Sequence, residues 1–338
     1  MRLRHALIAL VLVGCGDDAK SSRSDDAGSE DDASTPMDSA AGTDAAALAD
    51  SGSDDGGSID GSATAGCEAM DILFVIDDSG SMAEEQANLG TNFPRFVEVL
   101  DGYRTEDGVP VDYRLGVTTT GKDFTTVVTF TGSAIPPMTL EEEGPNGELL
   151  QTCGMTRKWI EAADGDVSAT FSCVAEVGTD GSSAEMPLLM TETALTTRVA
   201  DGTNAGFVRE EALLAVVVLT DEDDCSLEAD MVEITVDPAE PDAAADACES
   251  SAVLPVGRFL DALDELKGER GRWAGAVIAG PSDCSSAFGE AAAAPRLQQF
   301  ATEAGENVVF SSICEGDLTG ALMDALDTFE AACAGFGG

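Results

Sequence analysis

The chain has 338 residues, and its 64 aspartates and glutamates outnumber its 17 lysines and arginines so far that the formal net charge is −47. A protein this acidic repels nucleic acid and anionic lipid surfaces and attracts divalent cations, so we expect no nucleic-acid partner. The single histidine, His5, lies in the leader described next, which excludes histidine-dependent nucleophiles and histidine zinc sites from the rest of the chain.

Residues 1–14 have the pattern of an export signal. Arg2 and Arg4 precede an apolar run over residues 6–13, which is too short to span a membrane. The sequence LVGC, ending at Cys15, resembles the bacterial lipobox, in which the signal is cleaved before the cysteine and the sulfur receives a diacylglycerol. The resemblance implies a lipid-anchored protein of the bacterial cell envelope, at the outer membrane or cell surface. An ordinary cleaved signal is the alternative.

Residues 15–66 follow as a segment of low complexity. After Cys15 they consist almost entirely of Asp, Ser, Ala and Gly, with hardly any large apolar side chain. Such a sequence buries too little apolar surface to offset the entropy of ordering, so it predicts a disordered acidic tether. The remaining residues, 67–338, are enough for one large α/β domain.

Strand and helix patterns alternate through residues 67–338. The apolar runs predict strands at 71–77, 113–119, 212–219, 273–279 and 308–312, and helical spacing predicts helices at 83–100, 185–199, 258–267, 294–304 and 318–331. A less regular stretch at about 123–178 and an acidic, cysteine-bearing stretch at about 222–252 interrupt the pattern as insertions. The alternation predicts a doubly wound, mostly parallel sheet with helices on both faces, whose ligands bind at the carboxyl ends of the strands.

Oxygen-bearing side chains follow the first of these strands. Asp77, Ser79 and Ser81 stand at alternate positions, and Gly80 allows the turn between them. In an extended turn alternate residues point the same way, so three oxygens can converge. Asp221 follows the strand at 212–219, at the corresponding edge of the sheet. The sequence therefore predicts a site of hydroxyls and carboxylates where two strands end.

These residues also carry a family resemblance. The sequence DILFVIDDSGSM resembles the first motif of the von Willebrand factor type A domain, Asp-x-Ser-x-Ser, and VVVLTDED resembles its later strand ending in Thr-Asp. The resemblance implies that family's Rossmann-like fold over residues 67–338, with a metal-ion-dependent adhesion site. Ser79 and Ser81 would then bind the metal directly, whereas Asp77 and Asp221 would act mainly through water or hydrogen bonds.

The family's remaining ligand is a threonine on a middle loop ahead of a helix. Here the loop GTDGSS precedes the helix predicted from residue 185, and Ser182 has the best spacing, with Thr179 as the alternative. The acidic run after Asp221 leaves two interpretations open. Asp223 or Asp224 binds a second cation, or the run is a solvated loop pinned by a disulfide.

The donor types indicate which cation to expect. Neutral hydroxyls with few direct carboxylates suit Mg²⁺, with Ca²⁺ and Mn²⁺ as alternatives. Mg²⁺ keeps several waters, and one open position can accept a carboxylate from a partner. Binding proteins of the resembled family use the cation in this way. The resemblance therefore implies adhesion to, or interaction with, a protein or extracellular matrix ligand that offers a carboxylate.

Eight cysteines follow Cys15, and an even number in an exported chain predicts disulfides. Proximity in sequence favours three local pairs and leaves two cysteines to clasp the ends of the domain. The predicted pairs are Cys153–Cys173, Cys225–Cys248, Cys284–Cys314 and Cys67–Cys333.

Two other functions remain open from the sequence. A structural or assembly component of the envelope would use the metal only to stabilise loops, and partner binding would then not depend on the cation. A Mg²⁺-dependent phosphotransferase of the haloacid dehalogenase kind needs Asp-x-Asp after its strand, but Ser79 occupies the second of those positions. We therefore expect a binding protein and not an enzyme.

Overall fold

The structure is a computed structural model that describes residues 63–64, 67–105, 107–182, 184–239, 247–286 and 289–335. These residues belong to one compact unit. The predicted signal, the predicted lipid site at Cys15 and nearly all of the predicted tether lie outside the described residues. Within the described ranges, every helix is too short or too polar to cross a bilayer.

The described strands, in chain order, are β1 (Ala63–Thr64), β2 (Ala69–Ile76), β3 (Arg104–Thr105), β4 (Asp112–Thr119), β5 (Phe124–Phe130), β6 (Met138–Glu142), β7 (Trp159–Glu161), β8 (Leu213–Leu219), β9 (Met231–Val236), β10 (Trp273–Ala279), β11 (Cys284–Ser286), β12 (Gly289–Ala291) and β13 (Val308–Ser312). The helices are α1 (Ala83–Gly102), α2 (Val167–Ala175), α3 (Pro187–Glu192), α4 (Arg198–Ala200), α5 (Ala247–Ser250), α6 (Val256–Lys267), α7 (Pro295–Ala304) and α8 (Thr319–Gly335). A π-helical turn, Thr193–Thr197, joins α3 to α4.

Six strands form the central sheet, in the order β13-β10-β8-β2-β4-β7. Neighbouring strands are parallel except at one edge, where β7 runs antiparallel to β4. The chain builds one half of the sheet from β2 through β4 and the other from β8 through β10 to β13. The order of the strands thus reverses between β2 and β8, the point where open sheets of this kind bind ligands. The predicted doubly wound, mostly parallel, Rossmann-like α/β fold is confirmed.

Helices cover both faces of this sheet. On one face, Phe74 of β2 lies edge-on against Phe93 and Phe96 of α1, with 5.6 Å between ring centroids in each pair. On the other face, Leu73 and Val75 belong to the apolar cluster that α6 and α7 complete. Because neither face meets water, β8 is buried at every position. This is why its sequence is continuously apolar.

The stretch 123–178, predicted to be less regular, contains β5, β6, β7 and α2. β5 pairs antiparallel with β6 and parallel with β9, which comes from the second insertion. The two insertions therefore build one small three-stranded sheet, β6-β5-β9. The sequence did not single out β5 and β6 within this less regular stretch, because these strands are partly exposed and lack the long apolar runs that mark the central sheet.

Four disulfides join the eight cysteines of the domain, in the pairs predicted from the sequence. Three close local loops, with sequence separations of 20, 23 and 30 residues. The fourth, Cys67–Cys333, joins the residue shortly before β2 to α8 across a separation of 266 residues. Disulfides in this number belong to oxidising compartments, which indicates a secreted or surface protein.

Candidate functional site

Strands β2 and β8 are neighbours and end side by side, so the loops that follow them share one edge of the sheet. Their last residues, Ile76 and Leu219, pair in register. The amide N–H of Asp77 donates to the carbonyl oxygen of Leu219 at 2.9 Å and extends the ladder by one step. Asp77 and Asp221 therefore follow the two strands between which the strand order reverses.

Asp77 is buried and held from both loops. Its Oδ1 accepts a hydrogen bond from the amide N–H of Ser79 at 2.8 Å, and its Oδ2 accepts one from Thr220 Oγ1 at 2.6 Å. Burial raises the pKa of Asp77, and the hydrogen bonds from Thr220 and Ser79 oppose that rise. The carboxylate is thus fixed in orientation, and its remaining lone pairs can orient the waters or hydroxyls around a cation.

Two serine hydroxyls stand next to Asp77. Ser79 Oγ and Ser81 Oγ are 3.2 Å apart. Adjacent ligands of an octahedral Mg²⁺, each about 2.1 Å from the ion, would be about 3 Å apart, so this spacing suits two ligands of one cation. Ser79 is buried and Ser81 is exposed, so the pair leads from the interior to solvent.

The carboxylate of Asp221 is buried and incompletely satisfied. The residue is 2% exposed, and its Oδ1 has no hydrogen-bond partner. Burial raises the pKa of Asp221 to about 8, the charge of Asp77 adds to the rise, and a hydrogen bond from Ser81 opposes it. The Ser81 contact places Asp221 beside the two hydroxyls. A buried carboxylate oxygen without a partner is destabilising unless a proton or a cation compensates it.

Three further buried carboxylates lie within electrostatic reach of Asp77, and we did not predict them. They are Asp78, Glu85 in the first turn of α1, and Glu185 just before α3, and each has one oxygen without a partner. Burial raises the pKa of Asp78 to about 6, that of Glu85 to about 7, and that of Glu185 well above its ordinary value. A single glutamate in a helical sequence gives no signal of this kind, so only the fold reveals the cluster.

The donors at this edge fit a cation held largely by hydroxyls and water. Across the part of the chain that the structure describes, no three carboxylate, thiol or imidazole side chains converge as a metal cage. The groups that do meet are the hydroxyls of Ser79 and Ser81 with the carboxylate of Asp221. These are hard oxygen donors, which suit Mg²⁺, Ca²⁺ or Mn²⁺.

The middle loop is attached to the first loop through Gln86 of α1. Gln86 Nε2 donates to the carbonyl oxygens of Asp77 at 2.9 Å and Gly178 at 2.7 Å, and its Oε1 accepts from the amide of Gly178 at 3.2 Å. The amide of Gly181 donates to the carbonyl oxygen of Asp78 at 2.8 Å. The structure therefore brings the predicted middle loop beside the site.

The hydroxyl of Ser182, the ligand predicted from this loop, is engaged elsewhere. Ser182 Oγ donates to Glu142 Oε2 of β6 at 2.8 Å and accepts from the amide of Ala184 at 3.1 Å. Thr179, the alternative, is exposed, and its carbonyl oxygen would be 3.8 Å from a Cβ placed on Gly80. Of the two ligands predicted from this loop, Thr179 therefore has its backbone against the loop after β2, whereas the buried Ser182 hydroxyl turns to a carboxylate.

Asp223 and Asp224 cap helices. Asp223 Oδ1 accepts from the amides of Arg296 and Leu297, at the start of α7, at 3.0 and 3.2 Å. Asp224 Oδ1 accepts from the amide of Leu188 in α3 at 3.0 Å, and its Oδ2 pairs with the Arg296 guanidinium at 2.9 Å. Carboxylates at helix N-termini satisfy unpaired N–H groups and favour the positive end of the helix dipole. Protein donors engage both side chains, so the run is not a solvated loop, although the Cys225–Cys248 disulfide does pin it. A second cation at Asp223 or Asp224 stays a prediction.

The raised pKa values predict how the stability of the metal-free protein depends on pH. Asp221, Glu85 and Asp78 have pKa values of about 8, 7 and 6 in the folded state, against ordinary values of 3.8 for Asp and 4.5 for Glu. At a pH between the ordinary pKa and the raised folded-state pKa of each group, the folded state binds more protons than the unfolded chain. The free energy of unfolding therefore falls as the pH rises through this range. With a chelator present, we expect a higher thermal midpoint at about pH 5.5 than at about pH 8.

Asp221→Asn is the matched control for this pH dependence. It removes the group with the highest of the three values, so it should raise the midpoint at about pH 8 and flatten the slope between about pH 6 and 8. Mg²⁺ should add most stability at the alkaline end, where the carboxylates that attract it are ionised. A thermal midpoint of the parent protein that rises with pH in the presence of chelator would contradict the raised pKa values of these carboxyls.

No protein-family model matches the chain, and no curated protein matches it in sequence. Among solved structures, the chain is similar to proximal thread matrix protein 1 (PTMP1) from the mussel byssus, with 14% identity and a TM-score of 0.38 over 79% of this chain and 48% of that one. It is also similar to the pilus adhesin SpaC from Lactobacillus rhamnosus GG, with 10% identity and a TM-score of 0.37 over 79% of this chain and 31% of that one. The chain thus spans about half the length of PTMP1 and about a third of the length of SpaC.

Proposed function

We propose that this chain is a surface interaction protein whose domain, of the von Willebrand factor type A kind, binds a protein or matrix ligand through a divalent cation. The observation that carries the proposal is the buried, unpartnered Oδ1 of Asp221 beside the hydroxyls of Ser79 and Ser81. Ionising a buried carboxyl that lacks a partner destabilises the fold, and a bound cation would remove that penalty. Because Ser81 is exposed, a cation held here would face solvent and a partner.

In this proposal each residue has a distinct part. Ser79 and Ser81 hold the cation, Asp77 and Asp221 orient its waters and the serine hydroxyls, and Thr179 of the middle loop completes the protein's share of the ligands. Mg²⁺ is the cation proposed, with Ca²⁺ and Mn²⁺ as alternatives. The bound ion supplies an electrophilic coordination position. Since the proposed direct ligands are neutral hydroxyls, the ion would keep its positive charge, and a carboxylate of the partner is the ligand that suits it best.

The proposal also covers where the protein is located in the cell. A lipid on Cys15 and an acidic tether over residues 16–66 would hold the domain at the outer membrane or cell surface of a bacterium. The four disulfides support an oxidising location outside the cytoplasm. The proposal is for binding without catalysis, because Ser79 stands where a Mg²⁺-dependent phosphotransferase needs its second aspartate, and without nucleic acid, because the chain is strongly acidic.

Calorimetric titration of Mg²⁺, and separately of Ca²⁺, into the full-length protein in moderate salt tests this function. We expect one saturable site in the parent and its loss in both Asp77→Ala and Asp221→Ala, because each change removes a carboxylate that orients the ligands of the ion. Glu98→Ala removes an exposed charge on α1 and controls for diffuse attraction of cations. It should bind like the parent. Equal binding by the parent and both site variants would overturn the proposal.

A cation that only stabilises loops would give the same titration, but its coordination shell would be closed. The same protein loaded with Mn²⁺ separates the two functions, since this paramagnetic ion relaxes solvent protons strongly only where exchangeable water is bound to it. Enhanced water relaxation that acetate suppresses would support an open position for a carboxylate. Weak relaxation that acetate leaves unchanged would favour the loop-stabilising role.

A further inference from the structure

The backbone at Glu185 runs across the edge of the central sheet at which β2 ends. Its carbonyl oxygen accepts a hydrogen bond from the amide of Cys225, in the loop after β8, at 2.7 Å. The amide of the next residue, Met186, donates to the carbonyl oxygen of Thr120, in the loop after β4, at 3.2 Å. In the sheet β2 lies between β8 and β4. The chain at Glu185 therefore passes over the end of β2, where Asp77 stands.

The side chain of Glu185 is buried among anions. The residue is 2% exposed, and its Oε1 has no hydrogen-bond partner. The acidic groups that act on it are Asp77 and Glu222, and the Glu222 carboxyl is within hydrogen-bonding reach. Removing one charge from water without a counterion is strongly unfavourable, and placing it beside other carboxylates adds repulsion. A proton shared with Glu222 or a bound cation would compensate Glu185, and only the cation does so while both carboxyls are ionised.

We propose that Glu185 is a further acidic positioning residue of the cation site, acting on the bound ion through water and through the field at Asp77. The inference rests on the proposed function. Direct coordination by three carboxylates is not the arrangement among the described residues, because no three acidic side chains converge on one point. An added negative charge at slightly longer range still strengthens the attraction for a divalent ion.

If Glu185 has this role, its charge lowers the stability of the metal-free protein and raises the affinity for the cation. In the metal-free protein burial and the charge of Asp77 raise the pKa of Glu185, so ionising this carboxyl, or holding its proton at alkaline pH, lowers stability. In the loaded protein the same charge favours the cation, and loss of groups that support metal ligands typically weakens metal binding about 10–100-fold. A residue that only packs the loop would change both quantities in the same direction, or leave cation binding alone.

Glu185→Gln in the full-length protein tests the inference, because it removes the charge and keeps the shape. We expect Mg²⁺ and Ca²⁺ to bind at least about 10-fold more weakly by calorimetry, and the thermal midpoint in chelator at about pH 8 to rise. Glu192→Gln is the matched control. Glu192 lies seven residues further on, in α3, and pairs with Arg258 at 3.0 Å, so its substitution makes the same charge change away from the site. It should bind cations within about twofold of the parent.

Three results would count against the inference. If Glu185→Gln binds both cations within about twofold of a parent that has a saturable site, Glu185 only shares a proton with Glu222, and the inference is overturned while the proposed function stands. If the variant lowers the midpoint and the affinity together, the residue is structural and the inference is overturned. If the parent has no saturable site that Asp77→Ala abolishes, the proposed function fails, and this inference fails with it.

Discussion

Arg209→Met should destabilise the fold by about 3–5 kcal/mol, because it leaves a buried carboxylate without its counterion. That carboxylate belongs to Asp71 of β2, which is 0% exposed. Arg209 Nε donates to Asp71 Oδ1 at 2.8 Å, and the amide N–H of Arg209 donates to Oδ2 at 2.6 Å. Its guanidinium also pairs with Asp112 at 2.6 Å. The arginine thus joins the start of β2, the start of β4 and the segment before β8.

Urea unfolding at about pH 7 measures this effect, and two further variants interpret it. Adding Asp71→Asn to Arg209→Met should recover part of the loss, since the double variant buries no unpaired charge. Arg95→Met breaks the exposed pair with Glu98 and should change stability by less than about 1 kcal/mol. A loss for Arg209→Met as small as that for Arg95→Met would show that the buried pair contributes nothing special.

The pH should also modulate the Arg209→Met effect. Burial raises the pKa of Asp71, and Arg209 opposes that rise in the parent. Without the arginine the carboxyl should take up a proton more readily, and the folded variant then binds more protons than the unfolded chain. The loss of stability should therefore shrink as the pH falls from about 8 toward about 5.

The parts of the fold that the sequence predicted are those whose environment is uniform. The strand predicted at 273–279 is β10 without any shift, and that predicted at 212–219 begins one residue later, as β8 (Leu213–Leu219). Both are buried on both faces, so every position is apolar and the run stands out in the sequence. The alternation with helices then fixes a parallel sheet and places its ligand edge.

The elements that escaped prediction depend on contacts between distant parts of the chain. β5 and β9 pair in parallel, with Val127 opposite Glu233, although about a hundred residues separate them. β6 shows no buried face, and the hairpin β11-β12 has three residues in each strand, so neither has a periodic apolar pattern. Local sequence carries little signal for such strands, because their stability comes from a partner that the sequence does not reveal.

The residues of the candidate site likewise fall into those that a local sequence pattern predicts and those that only the fold brings together. Asp77, Ser79 and Ser81 form a local pattern after a buried strand, so the sequence was sufficient to single them out. The roles of Asp223 and Asp224 could not be found in this way, since they cap helices that begin far from them in the chain. Glu185 reaches the site only because its backbone bridges two loops that the fold brings together.

Removing the Cys67–Cys333 disulfide should have the other large effect on stability. Both residues are 0% exposed, and the bond closes a loop with a sequence separation of 266 residues. In the chain-entropy account a cross-link destabilises the unfolded state more as the loop lengthens, reaching about 5 kcal/mol for loops beyond about 100 residues. We expect Cys67→Ala/Cys333→Ala to lose about this much, with a steeper dependence on urea because its unfolded chain is more open.

The matched control is Cys153→Ala/Cys173→Ala, which opens a loop with a separation of only 20 residues. Its expected loss is about 3 kcal/mol in the same account. The two cysteines of this control are exposed, so their replacement leaves no cavity in the core. Loss of the long-range disulfide should also loosen α8. This helix is joined to α1 by the hydrogen bond from Thr319 Oγ1 to Asn92 Oδ1 at 3.2 Å, and to the residue that follows α1 by the one from Tyr103 Oη to the Leu326 carbonyl oxygen at 3.0 Å. Urea unfolding of both double variants measures the difference, and an equal loss in the two would show that loop closure does not set the contribution of the long-range clasp.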